Sequence, residues 1–115
     1  MIKRGEIYLA NLNPKKGNEV GKLRPVLVLQ TDMLNEISHP TVIILPLSTK
    51  LVDEAYPLRF RINKRDRLEK DSDILCDQIR AIDINRLKSV PLTLLTEEEI
   101  VDIEHRLEII LGFIQ

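Results

Sequence analysis

The chain reads as a small, mainly β member of the α+β class: a curled sheet or barrel closed by a single C-terminal helix. Three observations predict it. Short apolar or alternating runs recur between polar stretches rich in turn-forming residues, which is the patterning of strands. Helical periods do not separate those runs, so the strand–helix–strand alternation of a parallel sheet is missing. One sustained helical period then occupies the C-terminal end. At 115 residues the expectation is one domain over 1–115, large enough for one core and too small for two.

Gly5 precedes a roughly alternating run over 6–12, carried by Ile7 and Leu9, which predicts a first strand. Residues 13–21 hold one proline, two glycines and two asparagines, a loop long for a plain hairpin and therefore a candidate lid. Val26 to Leu29 is an unbroken aliphatic run, predicted as a strand covered on both faces. Arg24 stands just outside it behind Pro25, and polar Gln30 and Asp32 leave it. Met33, Leu34 and Ile37 predict a helical turn within 32–39, which Pro40 stops. The β-branched run over 41–47 predicts a buried strand next to the first, with Pro46 at a bulge or an unpaired position. Ser48, Thr49 and Lys50 follow directly at its end.

Leu-Arg-Phe-Arg-Ile over 58–62 has a period of two that puts Arg59 and Arg61 on an exposed face. The mixed-sign run 63–73 reads as a solvated turn, and 74–79 as a strand with Asp77, Gln78 and Arg80 on or near it. Asp83 is placed to cap a helical turn over 83–87. Thr96 and Glu99 form a capping box, and the acidic residues of the first turn suit the helix dipole. Ile100, Ile103, Leu107, Ile110 and Ile114 then recur at helical spacing as a stripe for packing on the sheet. Val101, Ile109 and Phe113 fall off that stripe and are candidate subunit contacts.

Seventeen basic against eighteen acidic side chains leave a net charge of −1, which excludes a whole-molecule field that gathers polyanions; an anion site must be built locally. The single cysteine, Cys76, excludes an intramolecular disulfide and reads as inert packing. With no apolar leader or long apolar run, a cytoplasmic protein with no membrane segment is expected. His39 and His105 lie far apart without a cysteine cluster, so neither a metal site nor any other cofactor is expected. The local anion site starts at Arg24. A guanidinium at a strand mouth must stay solvated or meet an anion, and two hydroxyls and an ammonium at 48–50 stand at another strand end.

Several segments occur in a specific order: Arg4-Gly5-Glu6-Ile7-Tyr8, Asn13-Pro14, Gly17-Asn18-Glu19-Val20-Gly21, Arg24-Pro25-Val26-Leu27-Val28, Pro40-Thr41-Val42-Ile43 and Leu47-Ser48-Thr49. Cys76-Asp77-Gln78-Ile79-Arg80-Ala81-Ile82-Asp83 follows, before Arg86-Leu87. In order and spacing the chain resembles, over nearly its whole length, the MazF/PemK toxin endoribonucleases of bacterial toxin–antitoxin pairs. The resemblance implies an SH3-like barrel of the CcdB/MazF type with a C-terminal helix, working as a homodimer. It implies metal-independent cutting of single-stranded RNA, mRNA included, and growth arrest until a cognate antitoxin binds. Arg24 matches the family's arginine after the glycine loop, and Ser48 a position that is often threonine, both at the catalytic centre. Glu19 matches a loop glutamate, while Asp77, Gln78 and Arg80 match a polar strand used for catalysis or RNA contact. Asn18 stands where some relatives carry histidine and Leu75 where some carry arginine, so a mechanism needing those groups is not available, and no cutting sequence carries over.

Cleaving RNA through its own 2′-hydroxyl needs a base, positive charge on the pentacoordinate phosphate and a proton for the departing 5′-oxygen. Arg24 offers a bidentate fork for the phosphate oxygens and is assigned charge stabilisation. Ser48 is assigned a hydrogen bond to a non-bridging oxygen; a nucleophilic serine would need a base such as His39. Glu19 and Asp77 are the candidate bases, each effective only where its surroundings raise its basicity. Lys15, Lys16, Asn18, Lys22, Thr49, Lys50, Gln78 and Arg80 are candidate RNA contacts, with Arg59 and Arg61 as a second supply of charge. Two tyrosines and two phenylalanines are few for stacking, so recognition leans on hydrogen bonds to splayed bases. The same groove suits an antitoxin segment that folds on binding. The competing reading is a non-catalytic toxin or binding module on the same barrel, a CcdB-like gyrase poison or a silent regulator, which would not need Arg24 and Ser48 together.

Overall fold

The computed structural model describes residues 1–114; Gln115, the last position of the expected domain, lies outside the described residues. The elements are β1 (Glu6–Asn11), β2 (Leu23–Val28), α1 (Asp32–Glu36), β3 (Thr41–Ser48), β4 (Arg59–Ile62), β5 (Ser72–Leu75) and β6 (Arg80–Asp83). A 3-10 turn (Ile84–Arg86), β7 (Leu87–Leu94) and α2 (Glu97–Ile110) complete the fold. The strands pair antiparallel in the order β4-β5-β3-β2-β1-β7, with β6 also on β3. The mainly β architecture with one closing C-terminal helix is the one its patterning predicts. No helix of the described residues is long and apolar enough to cross a membrane.

The aliphatic run of β2 is buried on both faces because the sheet has a core on each side. Leu27 and Leu29 join Ile7, Leu45, Leu47, Ile74 and Ile103 beneath α2. Val26 and Val28, pointing the other way, join Tyr8, Ala10, Val42, Ile44 and Ile82. Alternation within one continuous apolar run thus serves two cores. Cys76 lies fully buried in the first core, where burial pushes its thiol up to about 12, the behaviour of an inert packing residue.

α2 keeps its expected start: the Thr96 hydroxyl accepts from the Glu99 N–H at 3.2 Å, and Glu99 accepts from the Thr96 N–H at 2.9 Å. Arg65 adds a fork on Glu99, 2.8 Å to each oxygen, which anchors the charged 63–73 segment to the helix while Lys64, Arg67, Glu69, Lys70 and Asp71 stay exposed as expected. Ile103 is buried, with Ile100, Leu107 and Ile110 packed beside it. The stripe ends sooner than its spacing suggests, since Gly112 takes φ +78° and the Phe113 N–H returns to the Glu108 carbonyl at 2.8 Å, leaving Ile114 past the helix and exposed. Val101 and Phe113 are 62% and 74% exposed.

Four assignments change. The strand expected next to β1 is β3, and β2 lies between them. The strand expected over 74–79 is β5 at Ser72–Leu75, so Asp77 and Gln78 occupy the connection to β6 and Arg80 opens β6. The last strand, β7, alternates too irregularly to be read from sequence: its register against β1 shifts between Ile7 and Tyr8 and again between Tyr8 and Ala10. Lastly, Arg24 lies within β2, opposite Ala10, and Pro25 is inside the strand opposite Leu9.

Pro46 sits where the ladder needs no donor. The Leu29 N–H donates to the Ile43 carbonyl, so Ile43, Leu45 and Leu47 turn their backbone groups toward β2, and Ile44, Pro46 and Ser48 turn theirs away. On that far side β3 holds β6 through Ile44 and β5 only from Leu47, so the nitrogen of Pro46 faces the gap, the unpaired position its ring requires.

A candidate phosphate groove at the end of strands β2 and β3

Pro25 explains how Arg24 is held. The β2–β3 register runs Val28–Ile44, Leu27–Leu45, Val26–Pro46, and one further step sets Pro25 opposite Leu47. The Leu47 carbonyl is turned toward β2, but Pro25 has no N–H to offer it. The Arg24 side chain supplies the missing donor: Nη1 donates to the Leu47 carbonyl at 3.1 Å and Nε to the Gly21 carbonyl at 2.7 Å. Two backbone acceptors on two segments therefore hold the guanidinium, and Arg24 lines the groove with its Nη2 making no hydrogen bond among the described residues. Burial pushes Arg24 below the ordinary guanidinium value, yet it keeps its charge across the working pH range. Gly21 is needed for close approach, since a Cβ there would come within 2.7 Å of the Lys15 Cβ.

The groove, about 450 Å³, is lined by Lys22, Arg24, Ser48, Thr49, Lys50, Arg59 and Gln78 among others. The Ser48 Oγ accepts the Lys50 N–H at 3.1 Å, which leaves its own hydrogen to donate. Lys22 holds φ +72°, a left-handed turn uncommon outside glycine, and its N–H donates to the Asn13 side chain at 2.8 Å as the chain enters β2.

A second cavity of about 460 Å³ adjoins the first and is lined by Lys16, Asn18, Glu19, Asp77, Gln78, Ile79 and Arg80. Gln78 belongs to both, and its Oε1 accepts the Val20 N–H at 3.2 Å, which pins the 13–21 loop to the β5–β6 connection. Glu19 is 61% exposed and lies 4.0 Å from Arg80. The expected site residues are thus divided: Arg24, Ser48, Lys22, Thr49 and Lys50 line one chamber, Glu19, Asp77, Asn18, Lys16 and Arg80 the other, and Gln78 joins them. Lys15 lines neither and lies against Gly21 instead. His39 lines a separate cavity with Tyr8 and Lys88, so it is not a base for Ser48.

Three residues expected to face solvent have structural partners here. Asp73, assigned to a solvated turn, is 1% exposed on β5. Its Oδ1 accepts from Arg61 Nε at 2.6 Å, and its Oδ2 from the Val52 N–H at 2.9 Å and Arg59 Nη1 at 3.1 Å. Burial alone would raise its carboxyl, but the Arg61, Val52 and Arg59 hydrogen bonds outweigh that and hold it below the usual range. Arg59 and Arg61, expected to face solvent, are committed to this carboxylate. The signal was the period-two pair of arginines, but matching it to Asp73 needed the register that sets Arg61 opposite Asp73.

A family model described as "PemK-like, MazF-like toxin of type II toxin-antitoxin system" matches residues 3–111. The chain is 42% identical over 113 residues to a Staphylococcus epidermidis protein named Endoribonuclease MazF, covering 97% of this chain and 92% of that one. It is 40% identical, with the same coverage, to the protein of that name from Staphylococcus saprophyticus. In fold it is similar to MazF from Deinococcus radiodurans, with TM-score 0.79, 21% identity and 96% of each chain covered. It is also similar to an endoribonuclease from a mycobacterial species solved in complex with its cognate antitoxin, with TM-score 0.77, 18% identity and 100% and 99% of the two chains covered.

Proposed function

The chain belongs to the PemK-like, MazF-like toxins of type II toxin–antitoxin systems, and from that premise we propose that it is a sequence-specific endonuclease of single-stranded RNA, a toxin that cuts mRNA until a cognate antitoxin occupies the same groove. The observation that carries this reading is the guanidinium of Arg24, clamped by the Gly21 and Leu47 carbonyls in the groove that also holds Ser48.

In the proposed reaction the 2′-hydroxyl oxygen attacks its own 3′-phosphorus, and the bond to the 5′-oxygen of the next nucleotide breaks. A 2′,3′-cyclic phosphate and a 5′-hydroxyl remain. Arg24 stabilises the charge that grows on the non-bridging oxygens, and its fixed position means little reorganisation is needed as that charge develops. Ser48 donates to one of the same oxygens. The base is a carboxylate, Glu19 or Asp77, in the adjoining chamber. The base and the charge-stabilising groups are side chains, the departing 5′-oxygen takes its proton from solvent, and on this reading no metal takes part. Lys16, Asn18, Lys22, Thr49, Lys50, Gln78 and Arg80 surround the path and contact the strand. The same reading has the toxin working in the cytoplasm as a homodimer, with the exposed Val101 and Phe113 as apolar surface for assembly.

The test is to incubate the purified protein with a varied set of single-stranded RNAs in EDTA and to map the ends. Fragments bearing cyclic phosphate and 5′-hydroxyl termini at a recurrent sequence are expected. Intact RNA across the whole set would overturn the proposal in favour of a binding toxin, and cleavage only after divalent metal is restored would overturn its metal independence.

A further inference from the structure

Resting on the RNA-cleavage reading above, we infer that Arg59, positioned by the buried carboxylate of Asp73, is a second phosphate-binding guanidinium of the groove and engages the phosphate next to the one being cut. Arg59 lines the same groove as Arg24 but reaches it from the opposite wall, since β4 and β2 are separated in the sheet by β5 and β3. Its Nη1 donates to the Lys50 carbonyl at 2.9 Å and to Asp73 at 3.1 Å. Arg24 Nη1 holds the Leu47 carbonyl. The two guanidinium groups therefore grip the chain on either side of Ser48 and Thr49, at carbonyls three residues apart, which is no more than about 10 Å along an extended backbone. That spacing suits neighbouring phosphates of one strand.

The placement of Asp73 favours a positioning role over a mere surface ion pair. Its carboxylate is 1% exposed and fully occupied by Arg59, Arg61 and the Val52 N–H. It thereby fixes both the segment that follows Ser48 and the side chain that faces the groove. Arg59 spends one nitrogen on these bonds. The Nη2 and Nε donors have no protein partner, and neither is a buried orphan. Arg61, by contrast, donates to Asp73 and pairs with Asp53 at 2.9 Å and does not line the groove. Two arginines on one strand face thus have different tasks: one braces the carboxylate, the other is carried by it.

The experiment measures binding of an RNA made uncleavable by a 2′-deoxy nucleotide at the mapped cut, over a range of salt. Each phosphate contact on a single strand contributes about 0.7 to the slope of log affinity against log salt. Arg59→Ala is expected to lower that slope by about 0.7, Arg59→Lys to restore it, and Arg61→Ala to leave it unchanged. On cleavable RNA, Arg59→Ala should raise KM with little change in kcat, because a contact to a phosphate that does not react binds ground state and transition state alike. Asp73→Asn should show the same KM effect by releasing Arg59; if that variant fails to fold, the Arg59 pair still decides. A wild-type slope in a folded Arg59→Ala protein, while the wild type cuts RNA, would overturn this inference alone. A wild type that neither binds nor cuts RNA would overturn the parent reading together with it.

Discussion

Replacing Arg24 by alanine tests two consequences of one geometry. On the chemical side, the lost fork is a preorganised donor set aimed at developing charge. Removing one such donor costs about 2.7–4 kcal/mol, or roughly 10²–10³ in rate, so kcat/KM on single-stranded RNA should fall at least a hundredfold. On the structural side, the Leu47 carbonyl loses the donor that stands in for Pro25, which costs about 1–3 kcal/mol in a buried setting. Arg24→Ala should therefore be less stable to urea as well as inactive. The double variant Arg24→Ala/Pro25→Ala separates the two effects. Alanine at 25 returns a backbone N–H opposite Leu47, so Arg24→Ala should cost less stability in that background, even though losing the proline itself costs about 0.4–1 kcal/mol through the unfolded chain. Activity should stay lost. Urea unfolding of the four proteins gives the coupling energy, and RNA cleavage gives the rate. Cleavage within fivefold of wild type in folded Arg24→Ala would refute the catalytic assignment; strict additivity in the stability cycle would refute the role given to Pro25.

Other expectations follow from neighbouring contacts. Gly21→Ala puts a Cβ within 2.7 Å of Lys15 and so must shift the carbonyl that holds Arg24 Nε; kcat should fall by tenfold or more while the thermal midpoint moves by only a few degrees. Glu19→Gln and Asp77→Asn decide the base: a general base contributes about 10²–10⁴, so one of the two should lose kcat on that scale and flatten the acid limb of the pH–rate profile, and a flat result in both would dismiss the carboxylates. Glu99, held low by the Arg65 fork, and Asp73, held low by Arg61 and Arg59 against its own burial, stabilise the fold above the ordinary carboxylate range near about 4, and that stability is lost as pH falls through their lowered values. Urea midpoints measured from neutral pH downward should drop there, less steeply in Arg65→Gln. Thr96→Ala removes one half of the capping box and should cost about 1 kcal/mol, read from the same unfolding curves.

Local chemistry by itself determined the helix and its cap, the aliphatic run of β2, the turn capped by Asp83 and the polar position of Arg24 beside a buried strand. Each rests on neighbours in the chain: a hydroxyl three residues before a glutamate, four consecutive aliphatics, a guanidinium that no core accepts. The tertiary structure decided whatever depends on register. Asp73 looks solvated among charges at 63–73 because nothing local says that Arg61 lies opposite it and Arg59 beside it. Asp77 and Gln78 look like strand residues because a shift of four positions in where a strand ends, from 79 to Leu75, leaves composition unchanged. The Arg24-Pro25 pair shows the physical reason best. Sequence supplies a donor beside a residue that lacks one, but only the pairing of β2 with β3 brings in the Leu47 carbonyl that needs it. A hydrogen bond between residues 23 positions apart is set by strand pairing, so the donor was legible in the chain and the geometry that holds it was not.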